Sequence, residues 1–246
     1  MYAYVHQVYL KLLVLALLTN IGHLARGQYS LEGFSIGDSS IQWFDEQIGL
    51  QAHELFTGVY EPLEDRTGLY HPFWASRSWA IGEIFYRGEH FQGIYLLYDL
   101  EKDQVLTRNH EGKYLNEAIR LNQEQIDWFR LGGAHFENKE ADTVFSAGFY
   151  EVLYRDGTFE MLSKRQKERE YQVNEILILP NDSFYLFYAG AWHKVNRPSG
   201  LYKLLPEVKR QLKPFIRDRR IRKFQDASSK DLKALAAYCA NLLSNE

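Results

Sequence analysis

The amino-acid sequence predicts a mainly β protein: an antiparallel meander, barrel-like or a curved open sheet, followed by two C-terminal α-helices. Three observations carry that expectation. From Ile41 onward, short apolar or alternating runs are separated by turn residues, the pattern of antiparallel strands. The connections between the runs are a few residues long, whereas parallel strands need a crossover of about a dozen residues or more. Past Pro198 the apolar period changes from that of a strand to that of a helix.

Residues 28–40 are polar and contain glycine, which predicts an extended lead-in. Ile84, Phe85 and Tyr86, a turn over 87–90 and the run 91–100 predict a hairpin, with the next turn over 99–103. Runs 104–107, 114–121 and 125–131 continue the series. The clearest hairpin joins 149–154 to 158–164 through Arg155-Asp156-Gly157, because Asp-Gly accepts the positive φ of a tight turn. Asn181-Asp182 joins 175–179 to 183–188, and Ala189-Gly190-Ala191 turns the chain into 192–195. Leu201, Leu204, Leu205, Val208, Leu212, Phe215 and Ile216 then recur as one helical stripe. Pro206 fits the first position of the main helix, where its missing N–H is harmless, and Pro214 is expected to kink or end it. Ser228 or Ser229 caps a final helix over 230–243, with Leu232, Leu235, Ala236, Cys239 and Leu243 as its apolar stripe.

The chain opens with Lys11, the apolar run 12–18, and then Ala25-Arg26-Gly27-Gln28, the parts of a secretory signal cut after Gly27. The run is shorter than the roughly twenty apolar residues that a permanent span needs. The expected organisation is a signal peptide over 1–27, an antiparallel β domain over 28–197 and a helical segment over 198–246 packed on it. The expected location is periplasmic or extracellular, with no integral membrane span once the signal is removed. Cutting the signal moves the formal charge from −3 to −5, which disfavours nucleic acid as a partner. The single cysteine, Cys239, excludes an intramolecular disulfide and cysteine-based metal sites.

Catalytic templates find little to hold. Gly37-Asp38-Ser39-Ser40 is similar to the nucleophile block of GDSL-type hydrolases, but none of the eight histidines follows an aspartate by three residues, as the base of such a serine would. Asp99, Glu101 and Asp103 alternate, but in a turn, where acids ordinarily serve the turn itself. His53, His71, His90, His110, His135 and His193 are scattered singly, so no metal site, cofactor or catalytic residue is assigned.

Two segments stand out as binding candidates. The 17 Tyr, 15 Phe and 5 Trp are dense for this length, and Tyr70, His71, Phe73 and Trp74, followed by Trp79, would stack on sugar rings if exposed together. The same residues alternating along a strand would fill a β core instead. Residues 203–223 are strongly basic, with nine Lys or Arg against Glu207 and Asp218. Lys209, Arg210, Lys213, Arg217 and Arg220 would meet an anionic surface or partner, or form the solvated face opposite the apolar stripe.

Leu55-Phe56-Thr57-Gly58-Val59-Tyr60, Tyr95-Leu96-Leu97-Tyr98-Asp99, and Gly148-Phe149-Tyr150-Glu151-Val152-Leu153-Tyr154 with its Asp-Gly turn carry a resemblance, as do Leu204-Leu205-Pro206, Phe215-Ile216 and the last helix. Together they resemble a group of uncharacterised exported β-rich proteins common in Bacteroidota. The resemblance implies export and the β-then-helix order, and no reaction or cofactor. The leading expectation is therefore a non-catalytic exported binding or structural module of the cell envelope, with an envelope protein or glycan as partner. The alternatives are a hydrolase acting on a cell-surface polymer and a small barrel binding an apolar ligand.

Overall fold

Alternating strands bury one face each, and two-residue turns with positive φ suit the right-handed twist between neighbours. Three such turns organise this chain: Arg87-Gly88, Gly132-Gly133 and Ala189-Gly190, each with both residues left-handed. The computed structural model describes residues 55, 58–63, 71–108, 117–173 and 175–244. The expected signal segment, the lead-in through Ser40 with its GDSL-like block, and Tyr70 lie outside them.

The described strands are β1 (Val59–Pro62), β2 (Ala80–Tyr86), β3 (Glu89–Asp99), β4 (Gln104–Thr107), β5 (Glu117–Arg120), β6 (Ile126–Leu131), β7 (Ala134–Lys139), β8 (Gly148–Arg155), β9 (Glu160–Lys164), β10 (Lys167–Tyr171), β11 (Ile176–Pro180), β12 (Ser183–Tyr188) and β13 (Ala191–Lys194). Eleven form one antiparallel sheet in the order β1-β5-β4-β3-β2-β6-β7-β8-β9-β12-β13, which does not close. β2 is the junction of two meanders. One runs outward through β3, β4 and β5; the other starts at β6 on its far side. β10 and β11 stand apart as a two-stranded ribbon inserted between β9 and β12.

The expected β meander with C-terminal helices is what the chain forms, as an open sheet. The helical segment is divided into three: α1 (Pro198–Leu204), α2 (Lys209–Asp218) and α3 (Ser229–Ser244). Pro198 supplies the first position of α1, and Pro206 lies in the break before α2 rather than at a helix start. Leu201, Leu205, Val208 and Leu212 stay buried across that break, so the apolar stripe continues although the helix does not. Pro214 sits inside α2 and removes one intrahelical bond, while Leu212 and Ile216 hold the helix down. Ser228 caps α3: its Oγ accepts from the Asp231 N–H at 3.1 Å. Among the described residues no helix is long and apolar enough to cross a membrane.

One sheet face carries two apolar clusters. In the first, Tyr98, Phe129, Phe136 and Phe149 pack ring on ring, with Phe129 and Phe136 stacked at 4.8 Å. In the second, Met161, Phe184 and Leu186 meet Leu212, Leu232, Leu235 and Cys239 of the helices. Burial pushes the Cys239 thiol up to about 12, so it is an inert core group. Along β8, Phe149 belongs to the first cluster and Leu153 to the second, and Glu151 lies between them, fully buried.

Candidate functional site

Charge on this protein is handled in two ways, and the difference separates its scaffold from its candidate site. The inner set begins at Arg165, just past β9. Its Nε donates to Glu151 Oε2 at 2.7 Å, one terminal nitrogen to Asp182 Oδ2 at 2.6 Å, and the other to Ser229 Oγ of α3 at 2.9 Å. The guanidinium also lies over the rings of Trp74 and Phe184 at 5.5 and 5.4 Å. Burial opposes its charge, but Glu151 and Asp182 outweigh that and raise its pKa. The neighbouring Lys164 is buried too, its pKa lowered by desolvation although Asp103 takes its ammonium. Asp103 also accepts from the Tyr98 hydroxyl at 2.5 Å and the Phe149 N–H at 3.3 Å, so the β3–β4 turn is fastened to the start of β8. Gly148 is needed there: its φ is +123°, and a Cβ would collide with Asp103 and Lys164.

The aromatic segment is divided between the two faces of the sheet. Trp74 packs edge-on against Phe136 at 5.4 Å on the inner face, under Arg165. Phe73 and Trp79 pack with Leu97, Leu106 and Ala118 on the other face. His71 is half-buried, lies 6.2 Å from the Phe73 ring, and gives its backbone carbonyl to Lys167 Nζ at 2.8 Å; burial, then Lys167 and Arg77, lower its pKa. The four described residues therefore do not form one stacking platform.

A second aromatic group, on the outer face, escaped sequence reasoning. Trp128 stands between Phe85, His90 and His135, at 6.1, 5.1 and 5.5 Å, with Arg130 over its ring. The cross-strand register Phe85↔Trp128 produces it, and the indole is half-buried among these neighbours. The shallow depression beside it, lined by Gly82, Glu83, Gln92 and Arg130, is equally self-satisfied: Glu83 accepts from Arg130 and pairs with His90, each at 2.8 Å. Among the described residues no group of three or more His, Cys, Asp or Glu side chains is arranged to hold a metal ion.

The basic segment behaves differently. Lys209, Arg210, Lys213 and Arg217 are all exposed on α2, and Arg220, Arg222 and Lys223 follow, also exposed. Lys209, Lys213 and Arg217 are spaced four apart, so they line one helix face at about 6 Å intervals. The flanking face is pinned by buried Leu212 and Ile216 and by Phe215 stacked on Tyr238 of α3 at 4.5 Å. Ion pairs found along the strip are Arg217 with its exposed neighbour Asp218 at 3.5 Å and Arg219 with Asp231 at 3.6 Å.

The strip continues past the helix because its end is locked. Ile221 N–H donates to the Ile216 carbonyl and Arg220 N–H to the Arg217 carbonyl, at 3.1 and 2.9 Å, the paired bonds of a Schellman cap. Ile221 and Phe224 are buried anchors on either side of Arg222 and Lys223. The left-handed position of that cap, where glycine is the easy residue, is Arg220, at φ +56°. A cation thus occupies a site where backbone strain favours another residue.

No family model, curated protein or solved structure matches the chain.

Proposed function

We propose that this chain is a non-catalytic binding module, exported to the cell envelope, that docks on a linear acidic polysaccharide through the strip from Lys209 to Lys223. The observation that carries the reading is the row of exposed cations on a clamped helix and loop, with few acids beside it, in a chain whose formal charge is −3. A pre-ordered row loses little side-chain and backbone freedom on binding, and a line of charges suits a linear polyanion. Export rests on the signal-like N-terminus, and the β-rich scaffold supplies the rigid support for α2.

Affinity for a soluble polyuronate, measured by titration across a salt series, tests it. The expected result is a logarithmic fall of affinity with salt, as released counterions dictate. Replacing Lys209, Lys213 and Arg217 together by Ser is expected to cost at least about tenfold at low salt and to flatten the slope by about three charges. Equal affinity of that variant and the parent sinks the reading. Binding to phosphatidylglycerol vesicles alone moves it to a lipid surface.

A further inference from the structure

The β10–β11 ribbon differs from the rest of the molecule in where it keeps its apolar residues. β11 reads Ile176-Leu177-Ile178-Leu179-Pro180, apolar on both faces, which is the composition of a strand covered on both sides. Ile178 is buried, but Ile176 is 48% and Leu179 37% exposed, and Tyr171 and Val173 near the tip are 73% and 99% exposed. The charges sit on the partner strand β10, as Lys167, Glu168, Arg169 and Glu170.

The ribbon is held firmly at its base. Lys167 N–H donates to the Leu100 carbonyl at 3.2 Å, its ammonium to the carbonyls of His71 and Phe73 at 2.8 and 2.9 Å, and Arg169 grips Glu101 with two bonds of 2.7 and 2.9 Å. Among the described strands β11 pairs with β10 alone, so its outer edge is open. Natural proteins ordinarily protect such an edge with charge, bulges or cover; here Pro180 alone interrupts it.

We propose that β11 pairs along this edge with β11 of a second copy of the chain, antiparallel, giving a four-stranded sheet β10-β11-β11-β10 with its two-fold axis at Ile178. The edge is complementary to itself. That axis sets Leu177 opposite Leu179 of the second copy and Ile176 opposite its Pro180, so each pairing is apolar on apolar and four leucines share one face. The charges favour the same arrangement. Glu168 and Glu170 of the two copies fall on the outer strands, about 14 Å apart across three strand spacings, beyond the screening length of about 8 Å at physiological salt. Pairing through β10 would instead bring acid against acid. A two-fold edge contact also closes, leaving a dimer rather than a fibre.

Sedimentation velocity of the purified chain over a dilution series tests this. The expected result is a concentration-dependent species of twice the monomer's mass. Leu179→Lys, at an exposed position outside the core, is expected to weaken association at least about tenfold, whereas Val173→Ser at the tip leaves it unchanged. A mixture of Leu177→Cys copies with Leu179→Cys copies is expected to form disulfide-linked pairs on oxidation, well beyond either variant alone, with Cys239 buried and silent. A chain that stays monomeric at its highest soluble concentration overturns the proposal, as does a dimer that Leu179→Lys leaves intact. Monomers that float with phosphatidylcholine vesicles until Leu179→Lys releases them also overturn it, since the ribbon's occupant would then be lipid.

Discussion

Arg165 and the Lys209–Lys223 strip use the same chemistry to opposite ends. Arg165 is 4% exposed, and each of its three nitrogens donates to Glu151, Asp182 or Ser229. On the strip, cations stand in water on a surface whose apolar side is already packed. Position in the sequence does not separate the two, because both lie in basic runs. Whether the sheet brings carboxylates to meet the cation does. A buried charge left without its partner costs far more than an exposed one, so the inner set fixes the fold and the outer set is free to bind.

The largest effect expected from breaking this contrast is at Arg165. Arg165→Met leaves Asp182 buried without the cation that binds it and Glu151 with Lys233 alone, 3.7 Å from its other oxygen, and a loss of about 3 to 5 kcal/mol is expected in urea unfolding. Adding Glu151→Leu and Asp182→Asn to the same chain is expected to recover most of that loss, because a replacement with no charged member leaves no stranded charge. A single variant that unfolds with the parent would show that the set does not hold α3 to the sheet.

A weaker test uses an intermediate case. Glu137 is 21% exposed at its side chain and takes two bonds from Arg155, at 2.7 and 2.8 Å, besides Lys139 at 3.2 Å. The Arg155 guanidinium, opposed by burial, lowers its pKa from 4.5 to about 2. A depressed carboxylate pKa contributes stability that is complete above the unfolded value and fades as pH falls through the folded one. About 3 kcal/mol is therefore expected to disappear between roughly pH 4.5 and 2. The stability gap between the parent and Glu137→Gln should close over that window. Curves that stay parallel down to pH 2 would rule out this linkage.

How far the sequence reveals these sites follows from the range of the interactions. Strands β2, β3, β9 and β12 are legible because alternation is a local signal. β7 escapes it, since Ala134-His135-Phe136-Glu137-Asn138-Lys139 offers little apolar contrast, and β10 is hidden in a charged run. The three-helix division escapes too, because the stripe from Leu201 to Ile216 stays in phase across Pro206. The basic strip is visible because it is contiguous. Asp103 and Lys164 are 61 residues apart and meet only when the sheet curls, so that contact leaves no local trace. Phe73 and Trp74 teach the opposite caution: two neighbouring rings pack on opposite faces of the sheet, so an aromatic run is not an aromatic surface.

The smallest expected effect has the opposite sign from the first, and it bears most directly on the strip. Arg220 holds φ +56° at the cap of α2, a conformation that glycine adopts without penalty. If that position served stability alone, glycine would serve it better. Arg220→Gly is accordingly expected to raise unfolding stability by about 0.5 to 1 kcal/mol, while removing one cation and weakening polyuronate binding at low salt. Measuring both on one preparation separates the two roles. A variant that is stabler and binds as tightly as the parent would take Arg220 out of the binding strip. One that is stabler and binds less would identify a residue kept at a cost to the fold, which is the expected mark of a surface that works on something outside the molecule.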